Sequence, residues 1–184
     1  GLQQFRETQR LYKRDVIDLV QVFNLTDVEN QWGNLERLKE EGHARYIGVT
    51  VSKYSLYEEL ERFLNKTTPD FIQVNYSITE RRTEERLLPL ARDKGLAVLT
   101  NRPFMNGAYF RKLAGRPLPE WAADFDCESW AQFSLKYILA HPDVTCVLTE
   151  TSNPHHMAEN AASSFGRMPD AAARARMREL IDEV

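Results

Sequence analysis

Five short apolar runs, each followed by a helix-like stretch, limit what this chain can become more than any other feature. They cover residues 16–22, 46–51, 71–76, 96–100 and 144–148. All are short and rich in β-branched residues, as strands buried on both faces should be. Alternation of this kind means a parallel sheet with crossover helices. Two architectures satisfy it: an open doubly wound sheet, or part of a (β/α)8 barrel. An open nucleotide-binding sheet usually has a glycine-rich turn after its first strand. Here that turn is Phe23-Asn24-Leu25-Thr26-Asp27, without a glycine. The barrel is the better reading, but eight units take about 250 residues and the chain has 184. The expectation is an α/β fold of parallel βα units: an incomplete TIM barrel holding the later five of eight units. A C-terminal helix follows, and residues 1–184 form a single domain.

The helical stretches carry their own boundaries. Trp32, Leu35 and Leu38 share a face, and Gly42 ends that helix. Ser55 with Glu58, and Ser129 with Gln132, read as capping boxes in which side chains satisfy orphan N–H groups. Leu87, Leu88, Leu90 and Ala91 stripe a helix that Gly95 stops. Asn153-Pro154 is an N-cap followed by a favoured first-turn proline, and a last helix begins near Asp170. Residues 80–86, with six charges, read as a solvated helix face. His43 and His141 precede strands, at the barrel end that serves stability.

Composition narrows the function classes. Lys and Arg number 24 against 27 Asp and Glu, for a net charge of -3. A nucleic-acid surface needs a basic stripe, so no nucleic-acid partner is expected. No apolar run approaches the roughly 20 residues that cross a bilayer, so no membrane partner is expected either. The two cysteines, Cys127 and Cys146, make neither a disulfide framework nor a zinc site, and both are expected as buried thiols. His155 and His156 point to different faces of a first helical turn and lack a partner set, so no metal is expected. The chain opens on Gly1 and shows no charged segment followed by an apolar one, hence no visible secretion signal.

Residues 15–22 resemble the fourth strand of the aldo-keto reductase family. Residues 35–42 and 45–49 are similar to its fourth helix and fifth strand, 71–77 to its sixth strand, and 99–104 to its seventh strand and loop. Residues 151–154 through 157–160 resemble the cofactor segment after strand eight. The matches come in order along nearly the whole chain. Asn101-Arg-Pro-Phe104, with Trp121-Ala and Glu128-Ser-Trp-Ala-Gln132, is closest to a bacterial branch that often carries a twin-arginine signal. The expected location is the cytoplasm, or outside it where such a signal exists.

The resemblance implies a nicotinamide cofactor across the C-terminal mouth of the barrel. Hydride passes to a carbonyl carbon while a tyrosine gives its oxygen a proton. That tyrosine, its lysine partner and an aspartate come from the first three strands, outside the five read here. The histidine expected at the end of strand four is Phe23, which can neither donate nor titrate. No catalytic residue is therefore assigned, and Phe23 reads as a core or pocket-lining aromatic.

The implied cofactor residues are more numerous. Thr50 offers a hydroxyl to the nicotinamide carboxamide, and Gln73 an amide that both donates and accepts. Asn101 stands where many members stack an aromatic ring on the nicotinamide. Arg102, Phe104 and Gly107 lie in a loop whose backbone N–H groups and guanidinium approach the pyrophosphate. Glu150, Thr151, Ser152, His156, Glu159 and Asn160 form the adenosine end. Glu150 replaces the cation of NADP-preferring members; a carboxylate repels a 2′-phosphate and can accept from a ribose 2′-OH. The cofactor is thus NAD or NADP, with NAD favoured. Residue by residue the plainer readings stay open: Gln73 as an interior polar group, residues 102–107 as an ordinary loop, Glu150 as a solvated strand end.

The expected function is that of the C-terminal, cofactor-binding part of an aldo-keto reductase-like NAD(P)-dependent oxidoreductase, inactive alone. The alternative is a non-catalytic binding or scaffold protein that keeps the half-barrel. A small carbonyl substrate is expected if the barrel is completed. Open strand edges predict self-association. Several of Val20, Val22, Ile47, Val49, Ile72, Val74, Val98 and Val147 are expected on an exposed inner surface.

Overall fold

The computed structural model describes residues 1–184. Helix α1 (Leu2–Tyr12) leads into β1 (Ile17–Phe23), α2 (Val28–Glu40), β2 (Ala44–Val51), α3 (Tyr57–Lys66), β3 (Phe71–Asn75) and α4 (Leu87–Asp93). Then follow β4 (Ala97–Asn101), α5 (Ala108–Lys112), α6 (Trp130–Leu139), β5 (Cys146–Val147), α7 (Pro154–Ala162) and α8 (Ala171–Asp182). The strands hydrogen-bond in the order β1-β2-β3-β4-β5, each beside its successor. The chain divides into two compact units, Gly1–Gln73 with Ala91–Ala97, and Val74–Leu90 with Val98–Val184.

In the first unit β1 and β2 are parallel, with Leu19 opposite Tyr46 and Val22 opposite Val49. Ile47, Val49 and Val51 are buried, as are Leu35 and Leu38 of α2 and Leu60 and Leu64 of α3. Burying each such side chain contributes about 1.5–3 kcal/mol. Trp32 meets Phe63 edge-on at 5.1 Å, which joins α2 to α3. Asp70 accepts the Ile47 N–H at 2.9 Å and the Lys39 ammonium at 2.7 Å, tying the entry of β3 to the end of α2. Gly48 has to be glycine because a Cβ there would run into the Phe71 carbonyl of the neighbouring strand.

In the second unit α6 is buried on every side from Ala131 to Ile138. Lys136 lies in this helix at 1% exposure. It is accommodated because its ammonium donates to the Phe165 and Arg167 carbonyls at 2.5 and 3.0 Å. Met177 and Ile181 anchor α8 as buried apolar residues. The Ser129 and Asn153 caps form as the sequence predicts, accepting from the N–H groups of Gln132 and His155.

Several expectations need correction. Only Cys146–Val147 of the fifth run is strand, although Thr145 and Leu148 still bond to the Val98 and Thr100 carbonyls at 2.9 and 2.8 Å. Cys127 is buried, whereas Cys146 is exposed because β5 is the last strand of the order. Ser55 does not cap α3; a 3-10 turn over Tyr54–Leu56 precedes that helix and Leu56 occupies the cap position without a side-chain bond. Val22, Ile47, Val49, Ile72, Val74 and Val98 are buried, not exposed. They share the strand parity that faces the helices. In the first unit the opposite parity, Ile17, Leu19, Tyr46 and Phe71, is half-buried or exposed instead. Phe23 belongs to that parity and is 65% exposed, so it is no core residue.

Candidate functional site

β4 ends at Asn101, and the backbone then leaves the extended region abruptly. Arg102, Met105 and Asn106 have φ of 57°, 53° and 52°, followed by Gly107 at 80°. Non-glycine residues in this left-handed region cost about 1–2 kcal/mol each. The loop is held by local bonds, Met105 N–H to the Arg102 carbonyl at 3.1 Å and Gly107 N–H to the Phe104 carbonyl at 2.9 Å. Phe104 is half-buried, its ring 4.9 Å from Phe110 and 6.3 Å from Tyr109. The buried Ser134 hydroxyl donates to the Pro103 carbonyl at 3.4 Å, which fixes the loop to α6.

This well-held loop carries polar atoms with nothing to bond. Asn101 Oδ1, Arg102 Nε and the Thr100 hydroxyl are buried and lack hydrogen-bond partners. A buried polar group left so costs about 1–3 kcal/mol, and native structures retain few of them. Three in consecutive residues at the C-terminal end of a parallel strand mark the position where barrel and open-sheet folds bind ligands.

The next strand ends at the same side. Thr100 of β4 stands opposite Val147 of β5, and residues 150–160 follow. Glu150, Ser152 and His156 are exposed, and Thr151 and Glu159 half-buried. The Thr151 hydroxyl accepts the Asn153 N–H at 3.1 Å. Asn160 is buried in α7. Within the second unit, therefore, Asn101, Arg102, Phe104 and Gly107 form one continuous loop, and the six residues from Glu150 to Asn160 a second segment. Thr50 and Gln73 belong to the first unit, half-buried at the end of β2 and within β3. The Thr50 carbonyl accepts the Asn24 N–H at 2.7 Å.

A polar cluster that the sequence reading missed lies around Glu84. Residues 80–86 are not a helix face: a 3-10 turn spans Arg82–Glu84, and Thr83 is buried. One carboxylate oxygen of Glu84 accepts from the Tyr76 phenol, from the Tyr137 phenol at 3.1 Å and from Arg174 at 3.2 Å. Arg174 also donates to the Tyr76 oxygen at 2.7 Å and to the Tyr137 carbonyl at 3.0 Å. Its guanidinium lies 4.4 Å from the centre of the Tyr137 ring, a favourable cation–π placement. Burial alone would raise the Glu84 pKa, but the two phenols and the Arg174 charge outweigh it and hold the carboxyl below its ordinary value. Burial foremost raises the Tyr76 and Tyr137 phenols, so both stay protonated donors. No short-range pattern points to this cluster, because Arg174 lies 98 residues from Tyr76.

Comparison with known proteins identifies the family. The Aldo/keto reductase family matches residues 2–175, and the chain belongs to that family. An uncharacterized oxidoreductase of Bacillus subtilis is 27% identical over 181 residues, with 84% of this chain and 57% of that protein covered. The NADH-specific methylglyoxal reductase of Escherichia coli is 27% identical over 180 residues, covering 80% and 52%. The chain thus spans little more than half the length of these relatives. Among solved structures, the holo form of an aldo-keto reductase from Bacillus halodurans is 25% identical with a TM-score of 0.77, covering 97% of this chain and 65% of that one. An aldo/keto reductase from Klebsiella pneumoniae in complex with NADP and acetate is 22% identical with a TM-score of 0.79, covering 96% and 63%. The five parallel strands are part of a TIM barrel.

Proposed function

We propose that this chain is the C-terminal, dinucleotide-binding part of a NAD(P)-dependent aldo-keto reductase barrel. In this reading the 101–107 loop takes the pyrophosphate side of the cofactor and residues 150–160 the adenosine end. The observation that carries it is the set of buried, unpartnered polar atoms at Asn101 and Arg102. Asn101 Oδ1 is an acceptor and Arg102 Nε a donor, a pair suited to a ligand that carries both amide and phosphate groups. Gly107 supports it by allowing close backbone approach, and Glu150 favours NAD over NADP by repelling a 2′-phosphate. Thr50 and Gln73 keep the nicotinamide roles that the family resemblance suggests. The sequence of the 101–104 loop puts the chain with the bacterial branch described above.

A bound nicotinamide would supply the hydride, and a small carbonyl compound would receive it once the remaining strands complete the barrel. Alone, the chain is expected to lack carbonyl reduction, since Phe23 offers no proton. Phe23 favours a second reading, a dinucleotide-binding protein without catalysis. Without completion, the end strands β1 and β5 each have a single neighbour and favour self-association.

Calorimetric titration of NADH into the unmodified chain and into Arg102→Ala tests the proposal. Binding that weakens about tenfold or more in the variant is expected, the equivalent of about 1.4 kcal/mol. Absence of binding for both NADH and NADPH at millimolar concentration would overturn it.

A further inference from the structure

We infer that Arg174 and Glu84 are positioning residues for the dinucleotide loop, acting through Tyr76; this rests on the function proposed above. The Tyr76 backbone N–H donates to the carbonyl of Asn101 at 3.2 Å. It is thus a direct link from the end of β3 to the residue that opens the loop. Tyr76 is fully buried, and its phenol is held at the other end, donating to Glu84 and accepting from Arg174. The ring is 6.2 Å from the Tyr137 ring and meets the His141 ring in a T-shaped pair at 5.6 Å. With both ends held and the ring enclosed, Tyr76 cannot shift its backbone without breaking charge-assisted bonds, which are among the stronger hydrogen bonds.

The flanking residues reinforce the same point. The buried Thr83 hydroxyl donates to the Asn75 carbonyl at 2.6 Å. The Ser77 hydroxyl accepts the Glu80 N–H at 2.9 Å. These bonds hold the segment after β3 to itself and to the last residue of that strand, and Tyr76 links Arg174 of α8 to Asn101. A purely structural role would have the cluster merely fasten α8. That helix has other fastenings: Met177 and Ile181 are buried, and Asp182 takes Arg81 at 2.8 Å. No contact of these residues with Tyr76 or Asn101 enters the chain of bonds.

The closing experiment compares Arg174→Ala and Arg174→Lys with Met177→Ala, which loosens α8 by another route. Two quantities are read on the full chain: the NADH dissociation constant by calorimetry, and hydrogen exchange of the Tyr76 amide by NMR. Arg174→Ala should weaken NADH binding about fivefold, within the range of mutational coupling between linked sites. It should also speed Tyr76 exchange about tenfold or more. Arg174→Lys, which keeps the charge and a donor, should recover most of both. Met177→Ala should lower the melting temperature at least as far while leaving the dissociation constant within about twofold. Equal weakening of NADH binding by Met177→Ala and Arg174→Ala would reduce the cluster to a fastening and overturn the inference. Unchanged Tyr76 exchange in Arg174→Ala would overturn the link itself. An unmodified chain that binds no dinucleotide would instead remove the functional reading, so the two failures are told apart.

Discussion

The polar groups around Glu84 and those at the end of β4 are both buried, and they differ in what they bond. One oxygen of Glu84 accepts three hydrogen bonds from three elements of the second unit. Asn101 Oδ1 and Arg102 Nε have no partner. The first arrangement returns what burial costs, because each donor meets an ionised acceptor. The second leaves that cost uncompensated in the free chain. A saturated buried cluster therefore acts first on stability and reaches the ligand only indirectly, here through Tyr76, whereas an unsaturated one is explained by a ligand still to come. Substitutions at the saturated cluster should act mainly on stability, with a smaller loss of affinity passed through Tyr76, and those at the unsaturated cluster on affinity alone.

The largest effect belongs to the saturated cluster. Glu84→Ala leaves Arg174 and two phenols without their shared acceptor, and should lower unfolding free energy by about 3 kcal/mol in urea titration. Acid should act in the same direction. The folded Glu84 carboxyl lies below its ordinary value, so its contribution is complete above an unfolded value of about 4.3. It is lost as pH falls through the lower folded value, where the native carboxylate takes up its proton. In Glu84→Gln this part of the acid transition should be missing.

At the unsaturated cluster the pattern reverses. Asn101→Ala should leave stability within about 0.5 kcal/mol, because no protein bond is lost. NADH affinity in the same variant should fall about tenfold, equal to about 1.4 kcal/mol. A stability loss near that of Glu84→Ala, with affinity unchanged, would erase the distinction between the clusters. The smallest effect is expected at exposed Glu150. Glu150→Lys should shift the NADH-to-NADPH affinity ratio about fivefold toward NADPH without altering the unfolding curve, as measured by paired calorimetric titrations.

What could be read from the sequence follows the range of the forces involved. Strands and helices depend on local periodicity, and four of the five runs, with Gly42, Ser129 and Asn153, reported it correctly; the fifth run kept only Cys146–Val147 as strand. The loop after β4 was legible as a candidate site through its resemblance to known reductases and through Gly107. Its unpartnered atoms were not, since burial depends on how residues far apart in sequence pack. Which apolar strand residues lie on the open surface was not legible, because alternation gives parity but not which parity is buried; six of the eight candidates are buried. Residues 80–86 looked like a solvated face because charges usually are one. Glu84 departs from that rule only through Tyr137 and Arg174, which arrive from α6 and α8. Cys146 shows the same limit: a thiol is usually buried, but β5 is the end strand of the order.

The central claim is that the end of β4 and the segment after β5 hold a dinucleotide, and hydrogen exchange measured with and without saturating NADH tests it most directly. The account predicts slower exchange within residues 101–107 and 150–160, with little change around residues 28–40 of α2. Binding that protects other regions while leaving both segments unaltered, or no protection anywhere at millimolar NADH, would contradict it.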